Sequence, residues 1–475
     1  MLLTRIYEDG LAQAAYLAAC DHTSAAMVVD PNRDVDKYID EAARAHVRIV
    51  AVTETHIHAD FLSGSRELAR RTGAQLLLSG EGGPDWQYAF AAADGARLLR
   101  DGDRFDVGTL SVDVRHTPGH TPEHLSLIVT DTSVGAIPVG MFSGDFLFAG
   151  DVGRPDLLER AANVAGTMEP MARRLYRSLR ATDSLPAHLQ VWPGHGPGSA
   201  CGKSLGAIPS TTIGYERLVG WAFQVASEDA FVRTVLAGQP EPPKYFARMK
   251  SLNRDGPPPM PPGTALPELH APALRGAFES SNVVIDARPS VEFAKSHVPG
   301  SMSIPFGTSF ATWSGSLLDP DRDIVLVADD AARIDNARRM LALIGFDRAV
   351  GWAGQTARAE WAASDRLASV EQLDPADVAT RNHRTVIDVR GAAEWDDGHI
   401  PNARHLFLGD LPATSDDLPR DLPIVLHCQG GTRASIAASM LQAKGFTNVT
   451  TMKGGMDAWN AAHLPVERSD GGGKK

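Results

Sequence analysis

The sequence predicts an α/β protein in three parts, and three observations carry that prediction. One stretch of text recurs about 100 residues further on, a spacing that means duplicated domains, since solenoid units are shorter. A proline-rich segment divides the chain. Strands alternate with helices, and the richest loops follow strand ends, where layered α/β proteins place their chemistry.

In the first part, residues 14–19 and 25–30 read as strands joined by a polar turn, and 35–45 as a helix. Residues 48–55 form a buried-type strand that runs into a histidine-rich loop. A helix over 66–72 and a strand over 75–78 follow. From 96 to 151 the text is mostly strands and Gly/Pro/Asp turns. Residues 164–179 read as a helix, and 190–193 as a strand that ends in another histidine loop. The segment 251–272 is expected to be an extended, semi-rigid linker after a domain over 1–250. Beyond it, Val284-Ile285-Asp286-Ala287-Arg288 is echoed by Val386-Ile387-Asp388-Val389-Arg390, Glu292-Phe293 by Glu394-Trp395, and His297-Val298-Pro299 by His399-Ile400-Pro401. Each copy, expected over 273–365 and 366–475, reads strand, loop, strand, helix, strand, a pattern for a parallel sheet.

Composition narrows the function classes. The 475 residues are 43% hydrophobic and 22% charged, ordinary for a globular chain. With 46 basic and 58 acidic residues the net charge is −12, which leaves no footprint for nucleic acid or an anionic membrane. Cys20, Cys201 and Cys428 are too few and too scattered for a disulfide framework, and fit a reducing cytoplasm. No apolar run reaches the roughly 18 residues of a membrane helix. Glu8 and Asp9 arrive too early for a signal-peptide core.

Four loops collect metal-ligand types. The first holds His56, His58 and Asp60, which alternate and would share one side of an extended segment. The others hold His116 and His120, Asp145, and His195. Imidazole with carboxylate suits zinc or iron better than calcium or magnesium. This order of motifs resembles the metallo-β-lactamase superfamily, and implies an αββα sandwich with metal between the sheets. The departure is Phe61, where two-metal members carry a histidine ligand; a phenyl ring cannot ligate. Glu54 to Asp60, Gly150 to Asp156, Gly198 to Lys203 and Pro209 to Glu216 further resemble persulfide dioxygenases, above all those fused to rhodanese domains.

The resemblance implies one Fe(II) per chain on His56, His120 and Asp145, with open positions for dioxygen and substrate sulfur. His58, Asp60 and His195 then stand behind the ligands or touch substrate. Arg154 matches a motif arginine beside the substrate, and can equally be one half of a structural Arg–Asp pair. Cys201, flanked by small residues, is equally a reactive thiol or a packing residue. Cys20 reads as core.

The second constellation is Cys428-Gln429-Gly430-Gly431-Thr432-Arg433, between an apolar strand and a helix. Such a turn aims amide N–H groups and a helix N-terminus inward, favouring negative charge and a thiolate at Cys428. No carboxylate interrupts residues 427–435. Four residues separate Cys428 from Arg433, one fewer than in the tyrosine-phosphatase loop, so the cradle suits a single sulfur. With Gly454-Gly455-Met456-Asp457-Ala458-Trp459, the segment resembles rhodanese. The resemblance implies that Cys428 carries a sulfane sulfur, supported by Arg433 and cradled by residues 429–432. In the first copy Ala328 replaces the cysteine and Asp329 and Asp330 enter the loop, so that copy is expected to be silent.

Together these resemblances imply a persulfide dioxygenase joined to a sulfurtransferase. It would act on a low-molecular-weight persulfide, of glutathione or another thiol, with dioxygen, sulfite and thiosulfate as the other reactants. It would have no nucleic-acid or membrane partner and would assemble as a homo-oligomer. The alternative is a metal-dependent glutathione thioester hydrolase of the glyoxalase II kind fused to rhodanese.

Overall fold

The computed structural model describes all residues except 161–164, 204, 381–383, 421 and 469–475. The chain divides into two compact units, Met1–Pro261 with Leu343–Gly345, and Pro262–Ala342 with Phe346–Lys475. Among the described residues the strands form four sheets.

In the first unit, β1 (Leu2–Glu8), β2 (Gln13–Ala19), β3 (Ala25–Val29), β4 (Arg48–Thr53), β5 (Gln75–Ser79) and β6 (Arg97–Leu99) lie side by side in chain order. The first three are antiparallel, and β3 to β6 are parallel. The facing sheet runs β12-β11-β10-β9-β8-β7, from β7 (Arg104–Val107), β8 (Leu110–His116), β9 (Leu125–Asp131), β10 (Gly140–Gly144), β11 (Gln190–Pro193) and β12 (Thr211–Thr212).

The two-residue period of a strand explains the layering. Along β2, Ala14, Tyr16 and Ala18 enter the core between the sheets, where they meet Val112, Leu127 and Phe142. Ala15, Leu17 and Ala19 point to the other face and join Tyr38, Ala42 and Leu68 of the covering helices Asp36–Arg44 and Ser65–Thr72. The second sheet is covered by Met168–Ala181 and Glu228–Leu236, whose buried Leu175, Leu179, Phe231 and Val235 recur at helical spacing. The result is the expected αββα sandwich. β1, half-buried at an edge, has no counterpart in the sequence reading. Residue 164, the expected start of the 164–179 helix, lies outside the described residues.

The expected linker over 251–272 is shorter than its composition indicates. Helix Phe246–Asp255 occupies its beginning, and helix Ala271–Glu279 starts before its end. The carbonyls of Pro258 and Pro259 accept hydrogen bonds from buried Arg33 at 2.9 and 2.7 Å, so this stretch is tied down.

The second unit holds the two repeats. The first sheet runs β14-β13-β15-β16, from β13 (Val283–Asp286), β14 (Met302–Ser303), β15 (Ile324–Val327) and β16 (Ala349–Ala353), all parallel. The other runs β17-β21-β20-β18-β19, from β17 (Glu371–Leu373), β18 (Thr385–Asp388), β19 (Arg404–His405), β20 (Ile424–His427) and β21 (Val449–Met452), also parallel. The repeated text now has a physical meaning. Arg288 binds Asp286 as Arg390 binds Asp388, at 2.6 and 2.7 Å. The aromatic residue stacks on the histidine four places on, Phe293 on His297 at 3.7 Å and Trp395 on His399 at 3.6 Å.

Helix Thr432–Ala443 is buried from Ala434 to Leu441, on every side. One side packs on β20 and β21. On another, Ser303 of β14 donates its N–H to Ser439 at 2.9 Å and shares a hydroxyl hydrogen bond with Ser435 at 3.0 Å. Phe293 and Ala294 of the first copy belong to the same apolar core as Cys428 and Ile436. No described helix is long and apolar enough to cross a membrane.

Candidate metal centre and cysteine cradle

The ends of β4, β8 and β10, with the loops after them, bring His56, His120 and Asp145 together. Their ligand atoms lie within 4.8 Å of one another, and all three residues are buried. Each histidine is anchored from behind. His56 Nδ1 is 3.0 Å from the Thr55 hydroxyl, which itself donates to Asp30 at 2.9 Å. His120 Nδ1 faces the Arg154 carbonyl at 3.1 Å. A ring nitrogen engaged this way leaves Nε2 with its lone pair forward, the arrangement of a metal ligand. The Nε2 atoms stand 3.9 and 3.5 Å from Asp145 Oδ2. Neither Asp145 oxygen has a hydrogen-bond donor, though both are buried. Orphaned buried carboxylate oxygens are costly unless a cation meets them. Burial pushes His120 down to about 3 and His56 well below its ordinary value, so both rings are neutral. Burial also raises Asp145 to about 6, which leaves it ionised near neutrality. The donor set therefore fits a divalent transition metal. Gly144 is required at the turn: its φ is +48°, and a Cβ there would collide with Thr55 and His124.

The remaining expected residues divide. His195 Nε2 lies 3.4 Å from both Asp145 and Asp60, so these two join the centre. Cys201, also buried, groups with Asp60 and His195. His58 does not share a side with His56 and Asp60 as alternation predicted, because the segment is bent. Its Nε2 turns to Asp30 at 3.2 Å, and its ring stacks on Phe61. Burial opposes charge on His58, but Asp30 outweighs it and lifts the ring to about 9.

Arg154 is corrected from a substrate contact to an internal strut. It is fully buried, and its guanidinium is spent on Asp156 at 2.9 and 2.7 Å and on the carbonyls of Ala200 and Pro240. Its carbonyl, meanwhile, orients His120. Two residues the sequence did not reveal also shape the centre. Asp30, at the end of β3, fixes Thr55 and His58. Asn253, in the expected linker, donates to the carbonyls of His58 and Phe61 at 2.8 and 2.7 Å and accepts from Ser63 N–H at 2.9 Å. A narrow cleft is lined by His120 together with Ile57, Trp86, Leu157, Phe246 and Lys250.

In the second unit, Cys428 directly follows β20 and is 1% exposed. Gly431 N–H donates to its Sγ at 3.1 Å, just before helix Thr432–Ala443. Gly455 lets the 454–459 turn press against this loop: its φ is +55°, and a Cβ would strike the carbonyls of Cys428 and Gln429. No carboxylate lies within residues 427–435, but two from elsewhere in the chain reach the loop. Glu394 binds Arg433 through both oxygens, and Asp457 holds Gln429 at 2.6 Å. Gln429 is thus shared between Asp457 and Arg390, and its side chain lines a cleft of about 630 Å³ with Glu394, Met456 and Arg468. In the first copy Ala328 is buried, Asp329 pairs with Arg358, and Glu292 turns to Lys295.

Fold and site thus define a metal-binding sandwich carried with a cysteine cradle. Comparison with known proteins agrees. The metallo-beta-lactamase superfamily matches residues 9–195, and the rhodanese-like domain matches 270–353 and 372–462. A crystal structure of a metallo-beta-lactamase from Staphylococcus aureus is 38% identical, covers 74% of this chain and 99% of its own, and superposes with a TM-score of 0.69. A sulfurtransferase of Allochromatium vinosum is 30% identical over 108 residues, 23% of this chain and 91% of its own length. A hydroxyacylglutathione hydrolase of Rhodospirillum rubrum is 28% identical over 181 residues, 38% of this chain. The chain spans only 60% of that hydrolase and 56% of a probable metallo-hydrolase of Burkholderia pseudomallei. The chain belongs to the metallo-beta-lactamase superfamily and carries two rhodanese-like domains.

Proposed function

We propose that the protein is a non-heme iron persulfide dioxygenase and sulfurtransferase, with one Fe(II) on His56, His120 and Asp145. The observation that carries this reading is the three-donor centre with a phenylalanine, Phe61, where a second ion would need a ligand, on one chain with a built cysteine cradle. Ferrous iron supplies adjacent coordination positions for dioxygen and for persulfide sulfur. The overall change is RSSH + O2 + H2O to RSH + sulfite + 2 H⁺, in which the terminal sulfur loses four electrons and dioxygen takes them. The chain's own residues exclude bulk water from the centre and hold His56 and His120 in the ligating tautomer. Lys250 and Trp86 line a cleft with His120.

At the cradle, the Cys428 thiolate takes the outer sulfur of a persulfide, RSH leaves, and sulfite removes that sulfur as thiosulfate. Gly431 N–H and Arg433 stabilise the sulfur anion, and the reverse direction uses the same groups. The first copy, with Ala328, takes no sulfur. This chemistry belongs to a reducing cytoplasm.

The test is oxygen uptake by the full chain on adding glutathione persulfide. Uptake that stops on chelation and returns with Fe(II) supports the reading; His120→Ala should abolish it and leave thiosulfate-dependent transfer at Cys428 intact. Absence of uptake by the iron-loaded protein overturns it. The likeness to hydroxyacylglutathione hydrolase favours a second reading, thioester hydrolysis, for which a metal held by the same residues would activate water. Turnover of a glutathione thioester without oxygen uptake selects that one.

A further inference from the structure

The cleft beside the cysteine cradle is lined by four charged side chains, Arg390, Glu394, Asp397 and Arg468, and they divide into two kinds. Arg390 is spent: its guanidinium donates to both oxygens of Asp388, to the Gly398 carbonyl at 2.7 Å and to Gln429 at 3.1 Å. Glu394 is spent on Arg433 and on the Gly391 N–H. Asp397 and Arg468 are exposed, and neither side chain has a partner among the described residues. Their placement is nevertheless built. His399 and Glu467 exchange backbone hydrogen bonds at 2.8 and 2.9 Å as an antiparallel pair, which sets Arg468 opposite Gly398, the residue after Asp397. Gly398 permits the close approach, since a Cβ there would lie 2.8 Å from Val466. The Trp459 indole N–H ties down the same segment through the Pro465 carbonyl at 2.9 Å. A cation and an anion thus line one cleft without pairing with each other. Gln429, the neighbour of Cys428, forms part of its wall.

We infer that this cleft is a subsite for the thiol that carries sulfur to and from Cys428, and that it recognises an α-amino-acid end: Arg468 takes the carboxylate and Asp397 the ammonium. Two fixed charges of opposite sign complement a zwitterion better than a carrier with one sign of charge. The volume of about 630 Å³ falls in the range of small-molecule pockets and leaves room for a tripeptide thiol. The inference rests on the sulfurtransferase reading of Cys428 and adds no step to it. Cys428–S⁻ and RS–SH give Cys428–S–S⁻ and RSH; one S–S bond breaks as another forms, and the proton leaves with the thiol. What the cleft decides is the nature of R.

The test is sulfur transfer by the full chain from thiosulfate to four acceptors. Glutathione carries both charges, N-acetylcysteine only the carboxylate, cysteamine only the ammonium, and cyanide has neither group. Arg468→Gln should raise KM about fivefold for glutathione and N-acetylcysteine, with kcat unchanged, and leave cysteamine alone. Asp397→Asn should do the same for glutathione and cysteamine and leave N-acetylcysteine alone. Cyanide transfer should be unchanged in both variants, which shows the cradle intact. If neither variant moves KM, or each moves it equally for all three thiols or for cyanide, the subsite is overturned while sulfur transfer stands. No transfer to cyanide by the parent chain overturns the sulfurtransferase reading itself, and the subsite with it.

Discussion

Glu394 holds Arg433 through two parallel hydrogen bonds, Nη1 to Oε2 at 2.5 Å and Nη2 to Oε1 at 2.7 Å. Burial alone would raise the Glu394 carboxyl, but the bonds and charge of Arg433 outweigh it and hold the group below the ordinary carboxylate range. A fork-to-fork pair fixes direction as well as charge, so Glu394 decides where Arg433 points relative to Cys428.

Glu394→Gln should lower kcat/KM for thiosulfate-to-cyanide sulfur transfer about tenfold, or roughly 1.4 kcal/mol. Arg433→Ala should lose more, and the double variant no more than Arg433→Ala alone, since both act through one group. Losses that add would show that Glu394 acts without Arg433.

Asn253 joins three backbone groups of the loop that carries His56. Asn253→Ala strands buried donors and acceptors at a cost of about 1–3 kcal/mol for each group. Iron should dissociate faster and the melting temperature of the first unit should fall, while sulfur transfer at Cys428 is unchanged. Iron retention equal to that of the parent would remove the clamp from the account.

Arg154→Met leaves buried Asp156 with only the more distant Arg160, 3.4 Å away, as a charged partner. Breaking such a pair costs about 3–5 kcal/mol. The expected outcome is a large fall in melting temperature and in iron content. A variant of unchanged stability whose KM for persulfide rises would return Arg154 to the substrate.

Burial pushes His427, next to the cradle cysteine, down to about 4. In an unfolded chain it titrates near about 6.5. Between those values the unfolded state binds the extra proton, so stability falls as pH drops through that window, by roughly 3 kcal/mol in total. Hydrogen exchange in helix Thr432–Ala443 should quicken on going from about pH 7 to about pH 4.5 after correction for intrinsic rates, and His427→Phe should flatten that dependence. An equally steep dependence in the variant assigns the effect to another group.

Periodicity and motif order made most of the architecture legible. Strand β11 is read to the residue, and the repeated Asp–Arg and aromatic–His pairs are visible as text because each is local. What stayed hidden was non-local or mixed in signal. β1 is an edge strand with no clean alternation. Asn253 sits in a segment whose prolines advertise a linker. The acidic neighbour of Arg433 comes from 39 positions away, so a scan of residues 427–435 missed it. Arg154 showed the right motif, but only its buried partners reveal that the guanidinium is already occupied.

The edge strand β14 gives the thiol-free copy a definite employment. Through Ser303 it grips the helix on whose first turn sulfur transfer depends, so the two copies share one wall. A truncation beginning at residue 366 would leave Ser435, Ser439 and the apolar residues around them facing water. Such a fragment should be insoluble or inactive even though it retains every residue of the cradle. Grafting the sulfur-handling half onto another protein would therefore mean taking both copies as a single cassette.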